Sequence, residues 1–501
     1  MKKFTCCLIL VLVAGIISAG TIFSAQETTL KEKVETLIEP INYWQIYLES
    51  AEPSPDSNHV SVVAKKGGKF AVIYDGKLQK EYDAIGKDTT VFSPDSQHHA
   101  YKAKKGSKWM IVVDSKEGKL YDNVGVPFFS PDSKRIAYIA EKGTNNLVVL
   151  DGKEVGECDK VPAKNNLIYS SDSRHFAFVA LKGKKGFVDE DGVAGKIYDN
   201  VSYPVFSPDS KHMVYPAGIK NKSFIVYDGK ELNQFDKVGS FAFSPDSMHF
   251  AYSAKVGDKA FLVAEGKEGP QFTDIAIPIF SPDSKIQYYC AVDGKKMYMV
   301  ANGNKGPAYD DIRDLVYSPD QSHHILTYQK GNNYYVVDER GKLSAGFDQI
   351  YLPGYSPDSK HLAFIAIKGK KWMIVRDGKE GAKFDYVTLP QYSLDSDHLL
   401  YMGKKGDKWV VVVDDKESKI YDGVAIPKFT KDSKHYIFIA FNNPLWHVVL
   451  DGVESKEDFM GFLKGSDLIE DTNKTMHVLG IYLPKDSNMP KISRYKIDLS
   501  K

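Results

Sequence analysis

The chain has 501 residues, of which 43% are hydrophobic, 12% aromatic and 26% charged. This ordinary globular composition excludes extensive disorder, a collagen-like fibre and a polytopic membrane protein. Sixty-six Lys plus Arg against 65 Asp plus Glu leave a formal charge of +1, so no global attraction to nucleic acid or acidic membrane is expected.

Residues 1–25 read as a targeting segment. Met1-Lys2-Lys3 gives a positive start, Leu8 to Ile17 an uncharged apolar core, and Ser18-Ala19-Gly20 and Phe23-Ser24-Ala25 two small-residue cleavage sites, the shape of a secretory signal peptide. The competing reading is an uncleaved anchor, because Phe4 to Phe23 is just long enough to span a bilayer. Cys6 and Cys7 precede the apolar core, whereas a lipid-modified cysteine would follow it. Cys158 and Cys290 then remain, in different places of the repeat described next, so no disulfide scaffold is expected and stability must come from the core. Residues 26–40 are expected to form a linker.

From there the chain repeats. Ser-Pro-Asp-Ser begins at Ser54, Ser93, Ser130, Ser207, Ser244, Ser281 and Ser356, with variants at Ser170, Ser318, Ser393 and Thr430 and a decayed copy at Thr472-Asn473-Lys474-Thr475. The first eleven starts are 37 to 40 residues apart, a period that marks a repeat architecture. Each motif precedes an alternating apolar run such as Phe250 to Ala254, a Lys- and Gly-rich turn, a second run such as Ala260 to Val263, and a Gly-containing turn. A short strand near an aromatic-Asp pair (Tyr82-Asp83, Tyr121-Asp122, Tyr198-Asp199, Phe235-Asp236) and a return strand complete the unit. Four strands in about 37 residues, with no helical period, describe one propeller blade. Apolar residues on both sides of the first run, as in Phe250-Ala251-Tyr252, fit a sheet sandwiched between two neighbours.

These Phe-Ser-Pro-Asp-Ser turns and apolar strands resemble the WD-repeat-like β-propeller repeats of TolB-type periplasmic proteins over nearly all of residues 41–501. The resemblance implies an all-β fold of about twelve four-stranded blades, and says little about function because propellers host unrelated activities. The chain departs from that family in having about twice as many repeats and no room for a separate N-terminal domain, so a Tol–Pal role does not carry over. Two six-bladed rings, over 41–265 and 266–501, fit the usual blade numbers best. In that scheme Tyr43 to Leu48 closes the first ring as an orphan outer strand. The segment Gln271 to Ile275 closes the second, whose last repeat lacks an outer strand. A seven-plus-five split and a single large ring are the alternatives.

Candidate chemistry is repetitive rather than singular. Ten of the thirteen histidines follow a motif start by five residues: His59, His98, His175, His212, His249, His323, His361, His398, His435 and His477. A ring of metal ligands is one reading. The better one is structural, with each His bonded to a turn Asp such as Asp56, Asp95 or Asp246, or packed on the next blade, because equivalent blade positions are too far apart to share an ion. The single Asp in each Ser-Pro-Asp-Ser or Asp-Gly turn is turn chemistry rather than a calcium loop. No G-x-S-x-G elbow, H-E-x-x-H pair or phosphate loop occurs, so neither an enzyme nor a cofactor or metal is expected.

The turn after the first run is basic in unit after unit, giving the candidate residues Lys65, Lys66, Lys104, Lys105, Lys184, Lys185, Lys370, Lys371, Lys404 and Lys405. Equivalent turns project from one end of a propeller, and an aromatic often follows (Phe70, Trp109, Phe261, Trp372, Trp409), which suggests a surface for an anionic polymer. The expected function is therefore an exported, non-catalytic binding or scaffold protein of the periplasm, cell envelope or extracellular space. It would contact protein or anionic glycan, not nucleic acid, and the membrane only if the N-terminal segment stays uncleaved. The alternative is an exported lyase or glycan hydrolase with its site in a propeller channel.

Overall fold

Short runs of β-branched and aromatic residues, separated by three recurring turns, make each repeat an antiparallel sheet. The computed structural model describes residues 30–499 apart from 40, 42, 163–166, 472–473 and 485–488. The expected signal segment lies outside them, and no helix occurs among them. The architecture is all-β, a succession of mostly four-stranded antiparallel sheets in a repeated, β-propeller-like fold.

The second unit shows the pattern. Ala84–Ile85 and Val91–Phe92 form a broken first strand against the two ends of His99–Lys105. Lys108–Val113 is the third strand and Lys116–Glu117 a short fourth. The Ser-Pro-Asp-Ser turn therefore joins the first two strands of one sheet, so the sheet begins with the strand before the motif rather than with the one after it. Asp-Gly joins the third strand to the fourth, and Asp75 and Gly76 both have positive φ (45° and 75°), the type I′ geometry this dipeptide favours in a two-residue hairpin.

Both faces of each sheet are buried, as the alternation predicts. In the second unit Tyr101 and Ala103 pack toward Val72 of the first unit, whereas Ala100 and Ile111 pack toward Tyr138 and Leu147 of the third. Fully burying a Val, Leu or Ile side chain in this way contributes about 1.5–3 kcal/mol, and an alanine methyl correspondingly less. The same nearest-neighbour packing runs from the sixth unit into the seventh, where Ala251 and Leu262 meet Tyr289 and Ala291.

Three expectations about the ends and the middle of the chain need correction. The stretch expected as a linker contains a strand, Glu32–Ile38, which pairs with Lys491–Asp498 and so supplies the fourth strand of the last unit. Tyr43 to Leu48 is not a free closing strand, because Gln45–Pro53 pairs with Val60–Lys66 inside the first unit. Nor does Gln271 to Ile275 reach the last unit, since Phe272 bridges to Ala260 of the sixth sheet and Asp274–Ile275 opens the seventh unit against Gln287–Asp293. The expected boundary between residues 265 and 266 falls in the Glu265-Gly266 turn that joins Lys259–Ala264 to Lys267–Glu268 within the sixth sheet. The last unit packs on the first through Leu463, Leu479 and Ile492 against Val60, Val62 and Ile73.

Candidate functional site

The Ser-Pro-Asp-Ser turn is an interlocked polar unit that also clamps its neighbour. Ser54 Oγ donates to Asp56 Oδ1 at 2.5 Å and accepts the His59 amide at 2.9 Å, while the Ser57 amide closes the turn on the Ser54 carbonyl at 2.8 Å. Proline presets φ at the second position and Ser57 takes a positive φ of 52°. The Asp56 amide donates across the interface to Ser96 Oγ, the last serine of the next motif, at 3.1 Å. The same amide-to-serine bond joins Asp95 to Ser133, Asp132 to Ser173, Asp246 to Ser284 and Asp358 to Ser396. The motif is a latch between sheets.

The histidines bond to carboxylates, though not to the expected ones. His59 Nδ1 lies 2.6 Å from Asp75 of the Asp-Gly turn, sixteen residues on, and His98, His175, His212, His361, His398 and His435 repeat this with Asp114, Asp191, Asp228, Asp377, Asp414 and Asp451. His323 uses Glu339 at 2.8 Å, and His249 stands 3.4 Å from Glu265. His477 departs from the set. The decayed motif is one residue shorter there, so Thr475 bonds as His59 does, through its carbonyl to the Asp471 amide, and His477 moves into the strand. Its Nε2 donates to the Asp56 carbonyl of the first unit at 3.0 Å. The first serine hydroxyl of the motif is held by its own turn and the last accepts the Asp amide of the preceding unit, so no Ser-His-Asp relay forms at these pairs. Cys158 and Cys290 are buried and form no disulfide, and burial pushes the Cys158 thiol up to about 11.

The basic turns are not bare charge. The Asp of each aromatic-Asp pair reaches the turn of the following unit, as when Asp83 Oδ2 accepts the Gly106 amide at 2.6 Å, and its other oxygen binds a lysine of its own unit, Lys69, at 2.6 Å. The Lys69 ammonium holds the Asp83 carboxyl below its ordinary range. Among the candidates, Lys185 and Lys371 pair in this way with Asp199 and Asp385, at 3.1 and 2.6 Å. Lys105 and Lys405 pair with Glu117 and Glu417, at 3.6 and 2.5 Å. Lys65, Lys104 and Lys404 lie half-buried over Phe70, Trp109 and Trp409, 5.1 to 5.7 Å from the ring centres, because hairpin register sets each opposite that aromatic. Lys66 stands 5.7 Å from the Tyr43 ring. Lys184 and Lys370 are exposed and make no ion pair among the described residues.

A cavity of about 750 Å³ opens between the second, third and fourth units beside these turns. Lys87, Lys102, Trp109, Asn123, Glu141 and Lys160 line it. Lys102 Nζ lies 4.3 Å from the centre of the Trp109 ring and donates to Asn123 Oδ1 at 2.6 Å. This lysine was missed by the sequence reading. The signal was present: equivalent strand positions hold Val63, Ile139, Val179, Ile365 and Ile439, and Lys102 alone brings a charge there.

These sheets and latches define a repeat protein of β-propeller-like construction. No family of known proteins matches the sequence, no curated protein matches it, and no WD or TolB-type sequence relationship accompanies the fold. Among solved structures, one of a eukaryotic initiation factor is similar at 15% identity, covering 63% of this chain and 93% of its own, with a TM-score of 0.35. A structure of prolyl endopeptidases is similar at 14% identity, covering 59% of this chain and 54% of its own, with a TM-score of 0.28. Likeness at that level assigns no activity.

Proposed function

We propose that this is an exported, non-catalytic binding protein whose twelve units form one ring rather than two rings of six, and which takes an anionic polymer at the lysine-turn end. The observation that carries the binding reading is the cavity of the second to fourth units, where Trp109 lies beneath the Lys102 and Lys104 ammonium groups, at 4.3 and 5.5 Å. An indole face and converging cations suit a ligand with flat apolar surfaces and carboxylate or sulfate groups, the chemistry of an acidic glycan. Against catalysis stands the use of the repeated Ser, His and Asp side chains in turns and latches.

The single ring rests on order of contact. Unit six meets unit seven with the same latch as its neighbours, Asp246 to Ser284. At the other junction Ser57 Oγ of the first unit lies 3.3 Å from Ser466 Oγ of the last, and the Asp467 amide donates to Ser57 Oγ. Two tests follow. Titration with a polyuronate or a sulfated glycan should quench tryptophan emission, less so in Trp109→Phe; equal quenching in both proteins ends the glycan reading. Ser57→Cys with Ser466→Cys should give an intramolecular disulfide on mild oxidation, whereas a protein of two six-unit rings would leave both thiols free.

A further inference from the structure

In the first and fifth units the residue just before the Asp-Gly turn is a tyrosine lying near the histidine ring. Tyr74 stacks on His59 with ring centres 5.7 Å apart, and Tyr227 lies 5.3 Å from His212. Valine, leucine or alanine takes this place in the second, third, sixth, seventh, tenth and eleventh units, and arginine in the ninth. In the fourth unit it is Glu190. A carboxylate therefore joins the His175–Asp191 pair, and His175, Glu190 and Asp191 each bring a donor atom within 4.8 Å of the other two. The eighth unit has a related sequence, Asp338-Glu339 with His323, but there one oxygen of the Asp338 carboxylate accepts the amides of Arg340 and Lys342, and Arg340 stands 3.4 Å from Glu339.

We infer that His175, Glu190 and Asp191 form a binding site for one divalent transition-metal ion, present in the fourth unit alone. One imidazole nitrogen and two carboxylates are a donor set for Zn²⁺, Mn²⁺, Co²⁺ or Ni²⁺, whereas Ca²⁺ and Mg²⁺ favour all-oxygen sets. A tetrahedral ion with ligands at about 2.0–2.2 Å keeps donor atoms about 3.3–3.5 Å apart. His175 Nδ1 and Asp191 Oδ2 are 2.8 Å apart, so a small opening of the pair admits the ion. Both side chains are about 40% exposed, which leaves an entry path and room for a fourth ligand from solvent.

The electrostatic surroundings favour a cation. Glu190 adjoins Asp191 in the cluster, and the Asp228 carboxylate of the fifth unit acts on it from the next sheet. No lysine or arginine lies within ion-pair distance of Glu190, Asp191 or Asp228 among the described residues; Asp191 and Asp228 pair only with histidines. Three carboxylates thus share two imidazoles and no permanent positive charge. A divalent ion would remove that imbalance, and no other unit brings three such donors together among the described residues.

The full chain titrated with Zn²⁺ should bind one equivalent, and Glu190→Gln should weaken binding about tenfold or more. Glu190→Tyr, the side chain two other units carry there, should do the same with unchanged thermal unfolding. His361→Ala, which removes a remote pair lacking the third ligand, should leave the affinity as it is. Independently of any variant, substoichiometric Mn²⁺ should broaden the ring resonances of His175 before those of the other histidines. No binding, equal binding by Glu190→Gln, or several equivalents spread over the histidine pairs would each overturn the site.

Discussion

Asp75 holds His59 on both sides of one peptide group: its Oδ2 lies 2.6 Å from His59 Nδ1, while its Oδ1 accepts the Val60 amide at 3.0 Å. One carboxylate thus ties the start of the second strand to the turn that ends the third. The residues are sixteen apart in sequence, so the bond fixes hairpin register rather than local turn shape.

Breaking such a pair should loosen one hairpin. Asp75→Asn keeps an acceptor for the Val60 amide but weakens the histidine bond, whereas Asp75→Ala loses both. We expect losses of roughly 0.5–1.5 kcal/mol for the first and about 1–3 kcal/mol for the second, measured by denaturant unfolding. No loss from Asp75→Asn would mean that the histidine bond contributes nothing, and equal losses from the two variants would mean the same of the Val60 amide bond.

The His435–Asp451 pair should respond to pH with a defined sign. The hydrogen bond to Asp451 raises the pKa of His435, against an opposing effect of burial. A histidine whose folded pKa lies above the unfolded value of about 6.5 stabilises fully below that value and loses its contribution as pH rises through the folded pKa. Asp451→Asn should therefore remove stability at pH 5.5 and little at pH 8.5. A loss that is the same at both values would contradict the assignment.

His477 should behave in the opposite sense. Burial lowers its pKa, and its Nδ1 has no hydrogen-bond partner, so a second proton would be a buried charge without an acceptor. The unfolded chain then binds the proton more readily, and stability is lost as pH falls below about 6.5. Because Nε2 holds the Asp56 carbonyl, the junction between last and first units should open first in acid. Hydrogen exchange at Thr475–Tyr482 and Val60–Lys66 at pH 5 and pH 7.5 checks this, with His477→Gln expected to flatten the difference.

The serine latch has a natural gap that can be filled. At the junction of the seventh and eighth units the motif serine is replaced by Gln321, which keeps the positive φ (62°) but shows no bond to the Asp283 amide, where Ser284 does bond to Asp246. Gln321→Ser should add the missing acceptor and stabilise the protein by about 0.5–1.5 kcal/mol. Ser133→Gly, which tolerates the φ of 66° at its site but removes the acceptor of the Asp95 amide, should cost about 1–3 kcal/mol. Thermal unfolding of both variants decides the matter.

Charge at the lysine turns should show as salt-dependent adhesion. Replacing Lys104, Lys105, Lys404 and Lys405 with Gln should reduce retention on an anionic resin at low salt without altering unfolding. The same change at Lys77, Lys153, Lys230 and Lys379, in the Asp-Gly turns, should have less effect. The difference should fade as added salt shortens the roughly 8–10 Å screening length. Equal losses from both sets would reduce the face to solvated surface.

The amino-acid sequence determined the repeat, the strand content and the turns. These depend on local rules: alternation sets which faces are buried, Asp-Gly sets a type I′ hairpin, and Pro with a following serine sets the motif turn. Ser54, Asp56 and Ser57 are contiguous, so their mutual bonding was implicit in the motif. The partner of His59 was not, because Asp56 and Asp75 are both plausible acceptors on a linear chain and only the hairpin register brings the second within 2.6 Å. The same holds for the pairing of Glu32–Ile38. Glu32–Ile38 has no turn signal linking it to Lys491–Asp498, and pairing across more than 450 residues is decided by which sheet edge remains open once all other strands are in place. Lys102 over Trp109 and Glu190 beside His175 carry no motif in the linear chain; their surroundings come from neighbours on other strands and other units, which tertiary packing alone supplies.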